Sequence, residues 1–230
     1  GSIALSGSGA RTLTLAGTNT GANSLAAVIG DNGGATSLTK VGAGAWQLSG
    51  TNTFSGPTTI SAGTLSINSI ANANGTSSAL GAPTTAADGT IQLGGTTSTA
   101  ILLYTGSGNS SDRKFELSGT TGGGTITNNG TGALTLSGTA TATLTNTKNL
   151  TFSGTNTDAN VFSGVISDGA ATAVRVTKTG TGLWELSGSN TYTGNTTLSQ
   201  GTLVAGHDSA FGPTGLLLLN GGTLTASGTR

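Results

Sequence analysis

The chain contains no cysteine, so neither disulfides nor thiolate metal sites are available to it. A cysteine-free chain also suits export in an unfolded state, because no disulfide can close prematurely. Charge is scarce as well: only 7% of the 230 residues are Asp, Glu, Lys or Arg, and the formal net charge is zero. Ordinary globular chains carry about 25% charged residues, so this surface must be wetted by hydroxyls and amides. The basic residues, Arg11, Lys40, Arg113, Lys114, Lys148, Arg175, Lys178 and Arg230, are scattered and give no stripe that could track phosphates, which argues against a nucleic-acid partner. Long apolar runs are missing too. A run such as Leu216 to Leu219 suits one buried strand, and no run approaches the roughly 20 residues of a membrane helix, so membrane insertion by this segment is not expected. Helix has no support, since Gly, Thr and Ser interrupt every 3.6-residue pattern.

What the chain does contain is repetition. Seven times it places two apolar residues one apart, then Ser or Ala, then Gly: Ile3 to Gly7, Leu13 to Gly17, Trp46 to Gly50, Phe115 to Gly119, Leu134 to Gly138, Leu150 to Gly154 and Trp184 to Gly188. Residues spaced by one share a face of an extended chain, and the Gly permits a change of direction, so each copy reads as a short strand with a corner after it. In Ala45 to Leu48 and Leu183 to Leu186 the Trp and Leu share one side while Gln47 and Glu185 share the other, which sends the apolar pair inward. Such units stack into a parallel β-solenoid, an all-β fold with a thin core repeated along an axis. At about 20 to 25 residues per coil the chain makes roughly ten coils, and at about 4.8 Å per stacked strand a rod near 50 Å long.

A longer period overlies the short one. Leu13 to Gly33 matches Leu150 to Ala170 at an offset of 137, and Leu38 to Ile67 matches the stretch from Val174 to Ala205 at an offset of 138. Residues 1–230 are therefore expected to form one solenoid segment with an internal repeat, 13–149 and 150–230, whose second copy is incomplete. Gly221 to Leu224 opens a strand, and Ile3 stands directly in repeat rhythm. Solenoids need atypical terminal repeats, so the expected partners at both ends are further repeats of the same protein or neighbouring subunits.

The segment from Trp46 to Ile67 and its partner from Trp184 to Val204 share the pattern L-x-L-S-G-x-N-T-Y/F-x-G-x-T-T-I/V/L-x-x-G-T-L, followed by Ser-Ala-Leu-Gly at Ser78 to Gly81 or Ser-Ala-Phe-Gly at Ser209 to Gly212. This resembles the passenger-associated transport repeat, also called the autotransporter-associated β-strand repeat, most densely over 42–81 and 180–212. The resemblance implies a right-handed parallel β-helix at a bacterial cell surface or released from it, in a passenger secreted through an outer-membrane barrel. No barrel pattern of alternating ten-residue strands with aromatic girdles occurs in these residues.

The repeat positions Trp46, Leu48, Asn52, Phe54, Trp184, Leu186, Asn190 and Tyr192 read as structural. Asn19, Asn52, Asn156 and Asn190 follow strands, where Asn tolerates left-handed backbone and can stack into ladders. For Trp46, Trp184, Phe54 and Tyr192 inward packing is the first reading, and a row of exposed aromatics stacking on sugar rings the alternative. No catalytic, cofactor or metal site is expected. His207 beside Asp208 lacks an activated serine pattern, the eight carboxylates are dispersed, and Asp168 with Arg175 and Lys178 is the nearest approach to an acid-base cluster. The leading function is a structural and adhesive solenoid of a bacterial surface protein, meeting surface glycans or host-cell molecules, with functional residues on loops such as Ser69 to Ser78 and Gly106 to Arg113. A self-assembling extracellular fibre and a polysaccharide-degrading enzyme are the alternatives.

Overall fold

The structure is a computed structural model and describes residues 1–3, 5–21 and 23–227. Within these residues the regular structure is all strand. The first coils hold β1 (Arg11–Leu15) and β2 (Asn23–Leu25), β3 (Thr36–Lys40) and β4 (Ala45–Leu48), then β5 (Thr58–Ile60) and β6 (Gly63–Ile67). The middle coils hold three strands each: β7 (Ile91–Leu93), β8 (Ala100–Tyr104) and β9 (Ser107–Ser111); β10 (Phe115–Leu117), β11 (Gly124–Asn128) and β12 (Gly132–Leu136); β13 (Ala140–Ala142), β14 (Lys148–Gly154) and β15 (Val161–Phe162). There follow β16 (Ile166–Ser167), β17 (Val174–Lys178) and β18 (Leu183–Leu186), then β19 (Thr196–Leu198) and β20 (Thr202–Ala205), and last β21 (Leu217–Leu219) and β22 (Thr223–Ala226).

These strands form three sheets. The first runs β1-β3-β5-β7-β10-β13-β16, the second β2-β4-β6-β8-β11-β14-β17-β19-β21, and the third β9-β12-β15-β18-β20-β22. Every pairing between named strands is parallel. That is a three-sided parallel β-solenoid, and the nine strands of the second sheet count its coils, one fewer than the sequence spacing suggests. Coil length explains the difference. In the first sheet Leu38 lies beside Thr58, but Thr58 lies beside Ile91, because residues 68–90 leave the wall as an excursion.

Alternation sets the core. Along the second sheet the inward row passes through Trp46, Leu65, Leu102, Ile126, Phe152, Lys178 and Leu198. From Leu65 onward every member is buried. The outward row beside it, Gln47, Ser66, Leu103, Thr127 and Ser153, is uncharged. Phe152 packs between Phe162 at 5.3 Å and Trp184 at 5.0 Å, so three elements from neighbouring coils share one aromatic cluster. In the last coil Leu219 and Leu224 are 60% and 37% exposed.

Six of the seven short motifs fall on strands: β1, β4, β10, β12, β14 and β18. The copy beginning at Ile3 includes Ala4, which lies outside the described residues. The role of the glycine differs from the sequence expectation. Gly17 and Gly154 do take left-handed backbone, but Gly138 and Gly188 do not. A Cβ on Gly138 would fall inside the envelope of the Arg113 carbonyl oxygen one coil below, and one on Gly188 inside that of Gly164. Stacked coils touch backbone to backbone there, and only glycine leaves the room.

The two sequence copies do not occupy the same faces. Five coils of the first sheet carry the chain from Leu38 to Ile166 through Thr58, Ile91, Phe115 and Ala140. The counterpart of Leu38 is Val176, ten residues beyond Ile166, on the next face round. Thus β3 and β5 lie in the first sheet while β17 and β19 lie in the second; β4 and β6 lie in the second while β18 and β20 lie in the third. The offset amounts to five coils and one further face.

Candidate functional site

At the repeat positions singled out from sequence, Leu48, Asn52, Phe54, Leu186, Asn190 and Tyr192 are buried, and so is Trp184, at 1% exposure. Trp46 is only partly buried. Its indole is anchored as its counterpart's is: Trp46 Nε1 donates to the Ala16 carbonyl at 2.9 Å, Trp184 Nε1 to the Ser153 carbonyl at 2.9 Å. The ground beneath them differs. Trp184 sits on Phe152, whose sequence counterpart is the smaller Leu15, and Asp158 in the turn below Trp184 is replaced by Gly21 below Trp46.

Asn52 and Asn190 are connectors on stretches of two different walls that carry no regular strand at that level. Asn52 Oδ1 accepts from the Ile29 amide at 2.8 Å and its Nδ2 donates to the Ala79 carbonyl at 2.7 Å; Asn190 does the same between Ile166 and Ala210. Each amide side chain thus replaces one rung of a sheet. Neither takes left-handed backbone; the only non-glycine that does so among the described residues is Asn146. The amide ladder forms elsewhere, where buried Asn128 donates to buried Asn160 at 2.5 Å and Asn160 donates to Asn156 at 2.9 Å.

The acid-base cluster suggested around Asp168 does not assemble through its suggested partners. Asp168 accepts hydrogen bonds from the Val174 amide at 2.6 Å and from the Thr193 amide and hydroxyl, tying its corner to the next coil. Asp31 does the same toward Thr36 and Ser55. Burial raises the Asp31 carboxyl, but the hydrogen bonds from Ser55 and Thr36 outweigh it and hold the group below its ordinary value. Arg175 points outward, while Lys178 is fully buried. His207 Nδ1 accepts from the Ser209 amide at 2.9 Å in a turn. Among the described residues no group of three or more His, Cys, Asp or Glu is placed to hold a metal ion, and no helix is long and apolar enough to cross a membrane.

Sequence reasoning missed the buried cations. Lys40, Lys148, Lys178 and Arg113 are at most 2% exposed. Lys178 Nζ donates to the carbonyls of Thr179, Gly180 and Gln200, at 2.7, 2.8 and 3.1 Å. Lys40 repeats this with Val41, Gly42 and Ala62. Lys148 donates to Thr120 and Thr145. Each ammonium satisfies corner carbonyls of its own coil and of a neighbour, groups that the turns leave without amide partners. Burial pushes the Lys178 amine down to about 8 and lowers Lys40 and Lys148 as well. A signal was present in the sequence: Lys40 and Lys178 share the inward parity of Leu38 and Val176 and stand two residues before Gly42 and Gly180.

The two loops named from sequence meet. Ser111 Oγ donates to the Ala71 carbonyl, Asp112 Oδ1 accepts from the Ala73 amide at 2.8 Å, and Asn72 Oδ1 accepts from the Asp112 amide at 3.1 Å. Much of 106–113 is strand β9 rather than loop. Arg113 pins the excursion by donating to the carbonyls of Ala71, Leu80 and Gly81 at 3.0, 2.7 and 3.1 Å.

Comparison with known proteins agrees with this architecture. The model of the passenger-associated-transport-repeat matches at residues 38–67 and again at 176–205, the segments that build β3 to β6 and β17 to β20. The chain carries two passenger-associated-transport-repeats. It is also similar to the adhesin BmaC autotransporter of Brucella suis biovar 1 (strain 1330), with 36% identity over 211 residues, which is 88% of this chain and 6% of that protein. The chain therefore spans a small part of the length of this relative. No solved structure matches.

Proposed function

We propose that this chain is an adhesive, non-enzymatic segment of an autotransporter passenger, placed at the outer cell surface or outside the cell. In this reading residues 1–230 form a single solenoid segment that acts as a stiff stalk and as a scaffold for binding residues on its walls and loops. The observation that carries the reading is the similarity to an autotransporter adhesin over 88% of the chain, with the passenger repeats built into the wall at 38–67 and 176–205. The physical arrangement supports it. Asp31, Asp168 and the buried lysines divide their hydrogen bonds between their own corner and the next coil, and the outer rows are mostly hydroxyls and amides. Surface glycans and cell-surface molecules are the partners proposed for such a wall. The test is display of 1–230 on a non-adherent bacterial host: adhesion to epithelial cells or to immobilised glycans above the empty-display control is expected. Depolymerisation of a glycan by the purified chain would instead favour an enzyme.

A further inference from the structure

Four asparagines of the chain are followed by glycine: Asn32, Asn74, Asn129 and Asn220. Such a pair can modify itself, because a glycine amide nitrogen, unshielded by any side chain, reaches the preceding side-chain carbonyl more easily than that of any other residue. Three of the four pairs are held against that approach. Asn32 Nδ2 donates to the carbonyls of Leu5 and Gly7 at 2.8 and 3.0 Å. Asn74 Oδ1 accepts from the Thr76 amide and hydroxyl at 3.2 and 2.8 Å, while the Gly75 amide donates to the Pro83 carbonyl at 2.8 Å. Asn129 Oδ1 accepts from the Thr155 amide and hydroxyl at 3.0 and 3.4 Å, and the Gly130 amide donates to Asn128 Oδ1 at 2.8 Å. Asn220 differs. It stands at the corner between β21 and β22, and both it and Gly221 are exposed. Its backbone amide donates to the Leu198 carbonyl, as those of Ser199 and Thr179 donate to Lys178 and Phe152 in the coils below, so its side chain belongs to the outward corner file. Among the described residues neither the Asn220 side chain nor the Gly221 amide has a hydrogen-bond partner.

We propose that Asn220 is a site of spontaneous, irreversible deamidation. The Gly221 nitrogen attacks Asn220 Cγ; the N–Cγ bond forms, the Cγ–Nδ2 bond breaks, and ammonia leaves with the proton that the Gly221 nitrogen gives up. Water then opens the cyclic imide at one carbonyl or the other, giving aspartate or isoaspartate with no oxidant, reductant or enzyme required. Glycine is fixed at position 221 by the fold, since a Cβ there would lie 2.6 Å from the Ser199 carbonyl oxygen, so the stacking of the corner itself retains the reactive pair. Either product places a carboxylate on a corner file that otherwise carries the hydroxyls of Ser153, Thr179 and Ser199. Isoaspartate also adds a methylene to the main chain between Leu219 and Thr223, which are registered over Leu198 and Thr202. This self-modification is independent of what the chain adheres to.

The test incubates the purified chain at mildly alkaline pH and follows amide-to-acid conversion at each asparagine by peptide mass mapping, with isoaspartate detected by methyltransferase labelling. Synthetic peptides spanning each pair give the unfolded reference, and the ratio of the two rates isolates the contribution of the structure. Asn220 should convert in the folded chain at close to its peptide rate. The other three must first break two or three hydrogen bonds and should be slowed by about tenfold or more. Asn220→Gln should remove conversion at that position and leave the other three unchanged. Folded-chain conversion at Asn32, Asn74 or Asn129 that is as fast as at Asn220, or an Asn220 rate suppressed as strongly as theirs, overturns the assignment.

Discussion

The paired tryptophans offer the sharpest measurement, because the same motif meets two environments. Trp184→Ala removes a side chain that is 1% exposed, packs at 5.0 Å against Phe152 and donates to the Ser153 carbonyl. Truncating a buried Trp costs about 3–5 kcal/mol through lost transfer and the cavity left behind. The stranded Ser153 carbonyl places this case toward the top of that range. Trp46→Ala begins from an indole that is only partly buried, so little enclosed cavity is created, and a cost of about 1–2 kcal/mol follows from the smaller apolar area lost. Since 1.4 kcal/mol is a factor of ten in an equilibrium, Trp184→Ala should speed local hydrogen exchange by about 10³-fold or more and Trp46→Ala by about tenfold. Coils couple to their neighbours only, so the first effect should be confined to β14, β15, β18 and β20 and the second to β1 through β6. Exchange followed by mass spectrometry gives both numbers. Equal costs at the two sites, or deprotection spreading through every coil, would refute the reasoning.

Three further outcomes are expected. Gly138→Ala should destabilise by about 1–3 kcal/mol, since its Cβ would collide with the Arg113 backbone one coil below; urea unfolding measures it, and a neutral result would mean that the coils can part without cost. In alkali, Lys178 with its native value near 8 sheds its proton before the unfolded chain does, near 10.5, so stability should rise from about pH 8 to 10; above pH 10 it should turn down, because burial pushes the Tyr192 hydroxyl up to about 12 and the unfolded tyrosine ionises first. Denaturant midpoints against pH, with Lys178→Met flattening the rise, check the sign, and an unchanged slope in that variant would contradict it. Arg113→Gln should free the excursion at 68–90 and make it the first site of limited proteolysis, and cleavage elsewhere at unchanged rate would show that the excursion does not depend on those three hydrogen bonds.

How much of this was legible in the sequence depends on which forces decide each feature. Strand, corner and inward parity follow from alternation, and Trp184, Leu48 and Leu186 lie on the core side for that reason. The buried lysines escaped because charge was weighed by composition and not by parity; Lys178 occupies the same row as Phe152 and Leu198, and the carbonyls that hold it come from corners unknown until the coils are stacked. Likewise Ser111 and Arg113 join the 69–78 loop through contacts across about 40 residues of chain, between segments that share no pattern. Trp46 and Trp184 look alike in sequence, and their difference in burial is set by what lies in the coil beneath, Leu15 in one case and Phe152 in the other.

The least legible feature is the face on which each copy lands, and it bears most directly on binding. Similarity at an offset of 138 suggests equivalent surroundings, yet the register places the counterpart of Leu38 ten residues past the fifth coil, and so on another wall. The reason is arithmetic. A coil is closed by geometry, and the excursion at 68–90 lengthens one coil, so the sequence period need not be a whole number of coils. The outward row beside Trp46, Gln47-Ser66-Leu103, therefore belongs to the second sheet, and the row beside Trp184, Glu185-Val204-Thr225, to the third. In any tandem run that keeps this offset, each copy turns one face further, and three copies bring the signature strands round all three walls. A ligand-binding variant of the motif, copied along such a rod, would thus be offered in different directions rather than in a line. That arrangement suits contact with ligands on surrounding surfaces better than simultaneous grip on one flat array, whose avidity requires sites that can be engaged together.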